Sequence, residues 1–207
     1  TLEKLGYLHK NLITKRYTPG LKALSIGFSY DRLGITKTAS FPRLEKLSAN
    51  LKEDLYLLGF DGSNLINIIN IPCEKNHLKP TKSGTPINIT YSAGGRSILS
   101  YLPGMEAVGL IFSSPRNTQT TKTLTDPKLI ITKVEEAYSK GFSVVDGEYD
   151  LDIISIGSAI LDKAGAPIAA IELVAPRKNL KWVKQREKIG TQLEKATKEI
   201  TESLSNH

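Results

Sequence analysis

The run Ser92-Ala93-Gly94-Gly95-Arg96-Ser97 stands at the head of a helical pattern, Arg96–Leu102. Free backbone N–H groups and the positive end of a helix dipole bind anions or carbonyl oxygens at such a place. An ordinary loop-to-helix turn has the same composition and is the simpler reading. The run is not a P-loop, because no Gly-Lys-Ser/Thr follows at the required spacing. Three polar groups stand out further on in apolar sequence: Asp146, Ser155 and Glu172. A carboxylate inside a Val/Ile strand is costly to bury without a partner. Glu172 therefore either lies solvated at a strand edge or points into a ligand site. Glu148, Asp150 and Asp152 are close enough in sequence to hold a cation, and a solvated turn is the plainer account of them. His9, His77 and His207 fall in a ribbon, a polar loop and the last position. They form no Ser/His/Asp set and no zinc spacing, so no metal, no cofactor and no enzymatic activity are expected.

The polar groups around Glu172 lie in Gly141–Pro176, which reads as three successive strands. Phe142–Glu148 is short. Asp152–Leu161 places Ile153, Ser155, Gly157 and Ala159 on one face and Ile154, Ile156, Ser158 and Ile160 on the other. Asp162-Lys163-Ala164-Gly165 is a hairpin turn, and Pro167–Val174 returns. Apolar residues on both faces mean that both are covered, one by helices and the other by a loop-roofed pocket. Upstream, Thr1–Leu8 has the spacing of a final helical stretch, His9–Asn11 a turn and Leu12–Tyr17 a strand. Thr18 and Pro19 suit the N-cap and first position of a helix over Leu21–Tyr30. A second helix, Ile35–Lys52, contains Pro42, where a kink or restart is expected. Leu55–Phe60, Asp61-Gly62 and Asn64–Ile71 form a hairpin. Pro72–Ser83 is irregular, with a short strand near Leu78. Met105–Phe112 is a short helix and Pro115–Thr125 a Thr-rich loop. Asp126 caps a helix that begins at Pro127, buries Leu129, Ile130, Val134, Ala137 and Tyr138, and stops at Gly141. Asn179–Leu204 is the last helix, with Ile189, Leu193, Ala196, Ile200 and Leu204 as its apolar stripe. Hairpin-joined strands with helices predict an α+β domain.

A single cysteine, Cys73, rules out a disulfide framework and fits a reducing, cytoplasmic setting. No apolar run approaches the roughly 20 residues of a membrane span. The net charge of +7 is concentrated at the ends. Lys4, Lys10, Lys15 and Arg16 oppose only Glu3 near the start, and eight basic residues oppose four acidic ones in 177–207. This points to an electrostatic partner at the ends, although a solvated helix face is the plainer account of the tail.

Several motifs, in this order, resemble the C-terminal effector-binding part of IclR-type bacterial transcriptional regulators. They are Leu5-Gly6-Tyr7-Leu8, Tyr17-Thr18-Pro19-Gly20 running to Gly27, and Pro42-Arg43-Leu44-Glu45-Lys46-Leu47. Gly84 with Gly95-Arg96-Ser97-Ile98-Leu99 follows, then Thr120 to Pro127, then Gly141 to Glu148 with Ala169-Ala170-Ile171. The similarity runs from about Thr1 to Leu204. It implies a GAF/PAS-like α+β fold, a curved antiparallel sheet of about five to six strands with helices. One sheet face would hold a small organic effector. It also implies a winged helix-turn-helix for operator DNA, of which residues 1–17 would be the remnant, with Lys10, Lys15 and Arg16 as its DNA-binding groups. Residues 18–34 would be a linker and dimerisation helix, and 35–207 the effector-binding domain, working as a homodimer or tetramer. A dimerisation or scaffold module without a ligand is the alternative. By resemblance to members that bind small oxo-acids, the pocket falls on Ala93, Gly94, Val145, Ile153, Ser155, Glu172 and Val174. Asp146 joins them as a strand carboxylate, and Ser92 and Arg96 are possible contacts. The family pattern has a second acid where Gly147 stands, Gly and Arg where Asp152 and Ile154 stand, and small hydroxyl residues where Glu172 and Val174 stand. An anionic Glu172 would repel a carboxylate ligand by roughly 3 kcal/mol at ~5 Å, unless Arg96 or Lys79 compensates. A neutral polyol, an aromatic with hydrogen-bonding groups or a cation suits it better.

Overall fold

A computed structural model describes residues 1–28, 31–73, 81–178 and 180–205. The chain divides into two compact units, Thr1–Thr36 and Lys37–His207. In the first, a helical turn in which Leu5 N–H donates to the Thr1 carbonyl leads into a two-stranded ribbon. Its strands are β1 (Leu8–Lys10) and β2 (Tyr17–Pro19), with Lys10 opposite Tyr17. The strands thus meet the expected Leu12–Tyr17 only at Tyr17. Asn11 explains this: its side-chain oxygen accepts from Ile13 N and Thr14 N, an Asx-type turn that takes residues 11–16 out of the ladder. Pro19 ends β2 rather than opening a helix, and α1 spans Lys22–Phe28. Leu21 and Ile26 are exposed.

Helix α2 (Asp31–Leu51) runs through Pro42 without a break. Leu44 and Leu51 are buried in the core on its C-terminal half, and that burial outweighs the loss of one helical hydrogen bond. The second unit is built on β3 (Asp54–Phe60), β4 (Leu65–Ile71), β5 (Pro86–Ile87), β6 (Ser143–Asp146), β7 (Ile153–Leu161) and β8 (Pro167–Pro176). These form one curled antiparallel sheet in the order β5-β4-β3-β8-β7-β6, so the fold is α+β as expected. The pair β5 was not foreseen, and the expected strand near Leu78 lies outside the described residues.

Side-chain alternation divides the sheet into two environments. Ile154, Ile156, Ile171 and Leu173 pack with Leu44 of α2 and with Ile189, Leu193 and Ile200 of α6 (Leu180–Ser205) in one core. The other face carries α3 (Ala93–Tyr101), α4 (Gly104–Ser113) and α5 (Pro127–Lys140). In α5, Asp126 caps the N-terminus and Gly141 closes the helix at φ 76°. Only Ile130, Val134 and Ala137 of its expected buried face are buried, whereas Leu129 and Tyr138 are exposed. A 14-residue helix on one flank of a sheet covers a stripe about 100° wide, and residues 129 and 138 fall outside it.

Candidate functional site

Strand β8 lies between β3 and β7, so its residues are interior to the sheet. Glu172 stands opposite Tyr56 on β3 and Gly157 on β7. It is only 7% exposed, and the solvated-edge reading fails. Gly157 explains why a helix can reach it. A Cβ at Gly157 would run into the backbone of Ala93 and Gly94, so the bare glycine lets the first turn of α3 sit on the strand. Ser97 Oγ donates to the Gly157 carbonyl at 2.6 Å, and Ser143 Oγ donates to the Ala93 carbonyl, fixing the helix there.

The helix begins three residues earlier than its pattern suggests, because Ser92 is the N-cap and both glycines are in its first turn. Glu172 closes that end. Its carboxylate accepts from Ser92 Oγ at 2.6 Å, Ala93 N at 3.2 Å and Gly94 N at 3.1 Å. Charge at a helix N-terminus is favoured by the dipole and by these donors together.

Beside this carboxylate opens a cavity of about 620 Å³. Ile153, Ser155, Val174 and Leu58 line it from the strands; Ser92 and Tyr91 contribute from the lead-in to α3. Ser155 is buried at 6% exposure and lines the cavity. Tyr56 projects from β3 toward Thr81; its phenol pKa is raised by burial first, then by Asp54 and Glu172, against hydrogen bonds from Thr81. Across the mouth, Tyr91 stacks on Tyr149 with centroids 6.0 Å apart and planes at 23°. Burial, then Tyr149, pushes the Tyr91 phenol up. Asn88 also borders the space, but its oxygen accepts from Thr90 N and Oγ1 and its amide donates to the Pro115 carbonyl.

The candidates from sequence divide accordingly. Ser92, Ile153, Ser155, Glu172 and Val174 line the cavity. Ala93 and Gly94 touch it through Glu172, to which they donate. Val145 is paired with Ser155 on the same face but lies beyond the wall. Asp146 is a correction: it pairs with Ile154, turns to the opposite face and meets Arg177 Nε at 2.6 Å. Neighbouring strand residues cannot both face one pocket. Arg96 does not reach the cavity wall either. It is 1% exposed and holds Glu148 bidentately at 2.7 and 2.6 Å, while its Nε donates to the Thr90 carbonyl. Glu148 is thus a buried partner rather than part of an acidic turn, and Asp150 caps its own loop through Asp152 N. Among the described residues no cluster could hold a metal ion. Lys79 lies outside the described residues. Sequence reasoning missed Tyr56, Thr81, Thr85, Ile87 and the two stacked tyrosines. The alternation of β3 could have marked Tyr56, which shares a face with the polar Asp54; the loop residues have no such signal. Lys10, Lys15 and Arg16 are exposed on the N-terminal ribbon, Lys10 over the Tyr17 ring.

A family model described as "Bacterial transcriptional regulator IclR C-terminal" matches residues 28–202. The HTH-type transcriptional regulator KipR of Bacillus subtilis is 29% identical over 178 residues, covering 83% of this chain and 70% of KipR. The HTH-type transcriptional repressor AllR of Salmonella paratyphi A is 24% identical over 161 residues, covering 78% of this chain and 59% of AllR. The chain therefore spans only part of the regulators it matches. Among solved structures, an IclR homolog from Microbacterium hydrocarbonoxydans complexed with 4-hydroxybenzoate superposes with a TM-score of 0.79 at 18% identity, over 98% of this chain and 81% of that one.

Proposed function

The chain belongs to the C-terminal family of IclR-type bacterial transcriptional regulators, and from that premise we propose that its second unit senses a small organic effector in the cavity beside Glu172. The observation that carries this reading is the cavity itself. Four sheet strands and three loops bring hydroxyls, carboxylates and stacked aromatic rings together around about 620 Å³, a size suited to a small molecule. A solved structure of the same fold is complexed with 4-hydroxybenzoate, which supports a small organic molecule as the class of effector. Effector binding changes operator affinity through a helix-turn-helix domain in the longer protein. A homodimer or tetramer places its reading heads on two half-sites.

A thermal-shift screen over metabolites tests the reading. Ligand at 100 times its Kd adds about 2.7 kcal/mol to stability, a shift of several degrees. A hit whose shift disappears in Ser155→Tyr, which fills the cavity, supports the sensor. Absence of any cavity-dependent shift supports the scaffold module instead.

A further inference from the structure

We propose that Glu172 is a built-in carboxylate filling the anion-binding end of α3, so that the cavity accepts an uncharged or cationic hydrogen-bond donor and rejects carboxylates. The proposal rests on the cavity being the effector site and specifies the ligand class it takes.

Every backbone donor at that helix end is already used. Ala93 N and Gly94 N donate to Glu172, Gly95 N donates to Ser92 Oγ at 3.1 Å, and Arg96 N donates to the Ser92 carbonyl at 3.0 Å. The Ser92 hydroxyl spends its only proton on Glu172. A ligand carboxylate entering here would find the helix N-terminus, ordinarily an anion site, occupied by a covalently attached anion. The remaining valences point the other way. Glu172 Oε2 already accepts two bonds, whereas Oε1 accepts one and keeps a lone pair for a donor from the ligand. The second carboxylate on the wall belongs to Asp150, and no described lining residue is Lys, Arg or His. The nearest buried cation along α3, Arg96, is engaged by Glu148. Ser155 supplies a hydroxyl on the wall and Tyr91 with Tyr149 an aromatic surface. These groups suit a flat or ring-shaped neutral molecule bearing hydroxyl, amide or amine groups.

Two measurements test this. In the first, Glu172→Ala empties the helix end, and sodium acetate is titrated against sodium chloride at equal ionic strength. The expected result is a saturable rise in Tm for the variant and none for the parent chain. Equal effects on both proteins, or no effect on the variant, overturn the proposal. Glu172→Gln, which keeps the volume filled, should show no rescue. In the second, calorimetry on the unaltered chain compares the isosteric probes benzoate and benzamide. The amide should bind tighter by roughly a hundredfold, the ratio that a like charge at ~5 Å imposes. Tighter binding of benzoate overturns the proposal without reference to whether the variant folds. Acetate rescue needs no natural effector, so failure of the metabolite screen and failure of the Glu172 assignment are separate results.

Discussion

Glu148 and Glu172 are buried alike, 6% and 7% exposed, and both are held by α3. They differ in what holds them. Glu148 faces a full guanidinium charge with two matched hydrogen bonds, and Leu124 N supplies another at 3.2 Å. Thr123 Oγ1 also ties the Glu148 carbonyl at 2.6 Å, so the pair pins the Thr-rich loop to the helix. Among the described residues Glu172 meets only neutral donors, and it borders open space. The contrast separates two uses of a buried acid. A carboxylate paired with a guanidinium away from the cavity is a structural joint, whereas one held by neutral donors on the cavity wall has a lone pair with which to select a ligand.

The sharpest way to break the comparison is Arg96→Met. It strands the Glu148 charge in the interior and should cost about 3–5 kcal/mol, read as a lowered urea midpoint at unchanged slope. A loss below about 1 kcal/mol would mean that Glu148 is no joint. Next in size is Gly157→Ala, which leaves both carboxylates intact but drives the first turn of α3 off β7. A destabilisation of about 1–3 kcal/mol is expected, together with loss of any cavity-dependent thermal shift. Unchanged ligand response in that variant would show that Glu172 does not depend on the seating of the helix.

The smallest effect comes from a third acid, Asp54, buried at the end of β3, where its carboxylate accepts from Cys73 N at 2.6 Å. Burial raises its pKa above the ordinary 3.8, and the Cys73 hydrogen bond only partly offsets that. A raised carboxyl pKa means that the ionised form is disfavoured in the fold. The resulting penalty is absent below pH 3.8 and grows to its full size once pH exceeds the folded value. Asp54→Asn keeps an acceptor for Cys73 and removes the charge. It should raise Tm by about a degree or two at pH 7, with the gain fading as the pH falls toward 3.8. A gain independent of pH would place Asp54 outside this series.

Much of the fold was written in local pattern. The β7–β8 hairpin follows from its alternation and from Gly165, at φ +81°. The ends of α5 follow from Asp126, Pro127 and Gly141. The sharing of one face by Ala170, Glu172 and Val174 follows from the period of a strand. These features depend on neighbours within a few residues, and sequence states them directly. The bonds between Glu172 and Ser92 and between Arg96 and Glu148 join residues 80 and 52 positions apart. No periodicity specifies either. Arg96 and Glu172 look like natural partners by charge, yet Arg96 faces Glu148 because α3 starts at Ala93 and settles on Gly157, which points its first turn at Glu172 and its fourth residue away. Asp146 turns outward for a similar reason, since the register with β7 commits Val145 to the inner face. Sequence determined which groups are costly to bury; tertiary structure decided which partner meets each cost, because hydrogen bonds and ion pairs depend on positions that only the closed sheet and the seated helix fix.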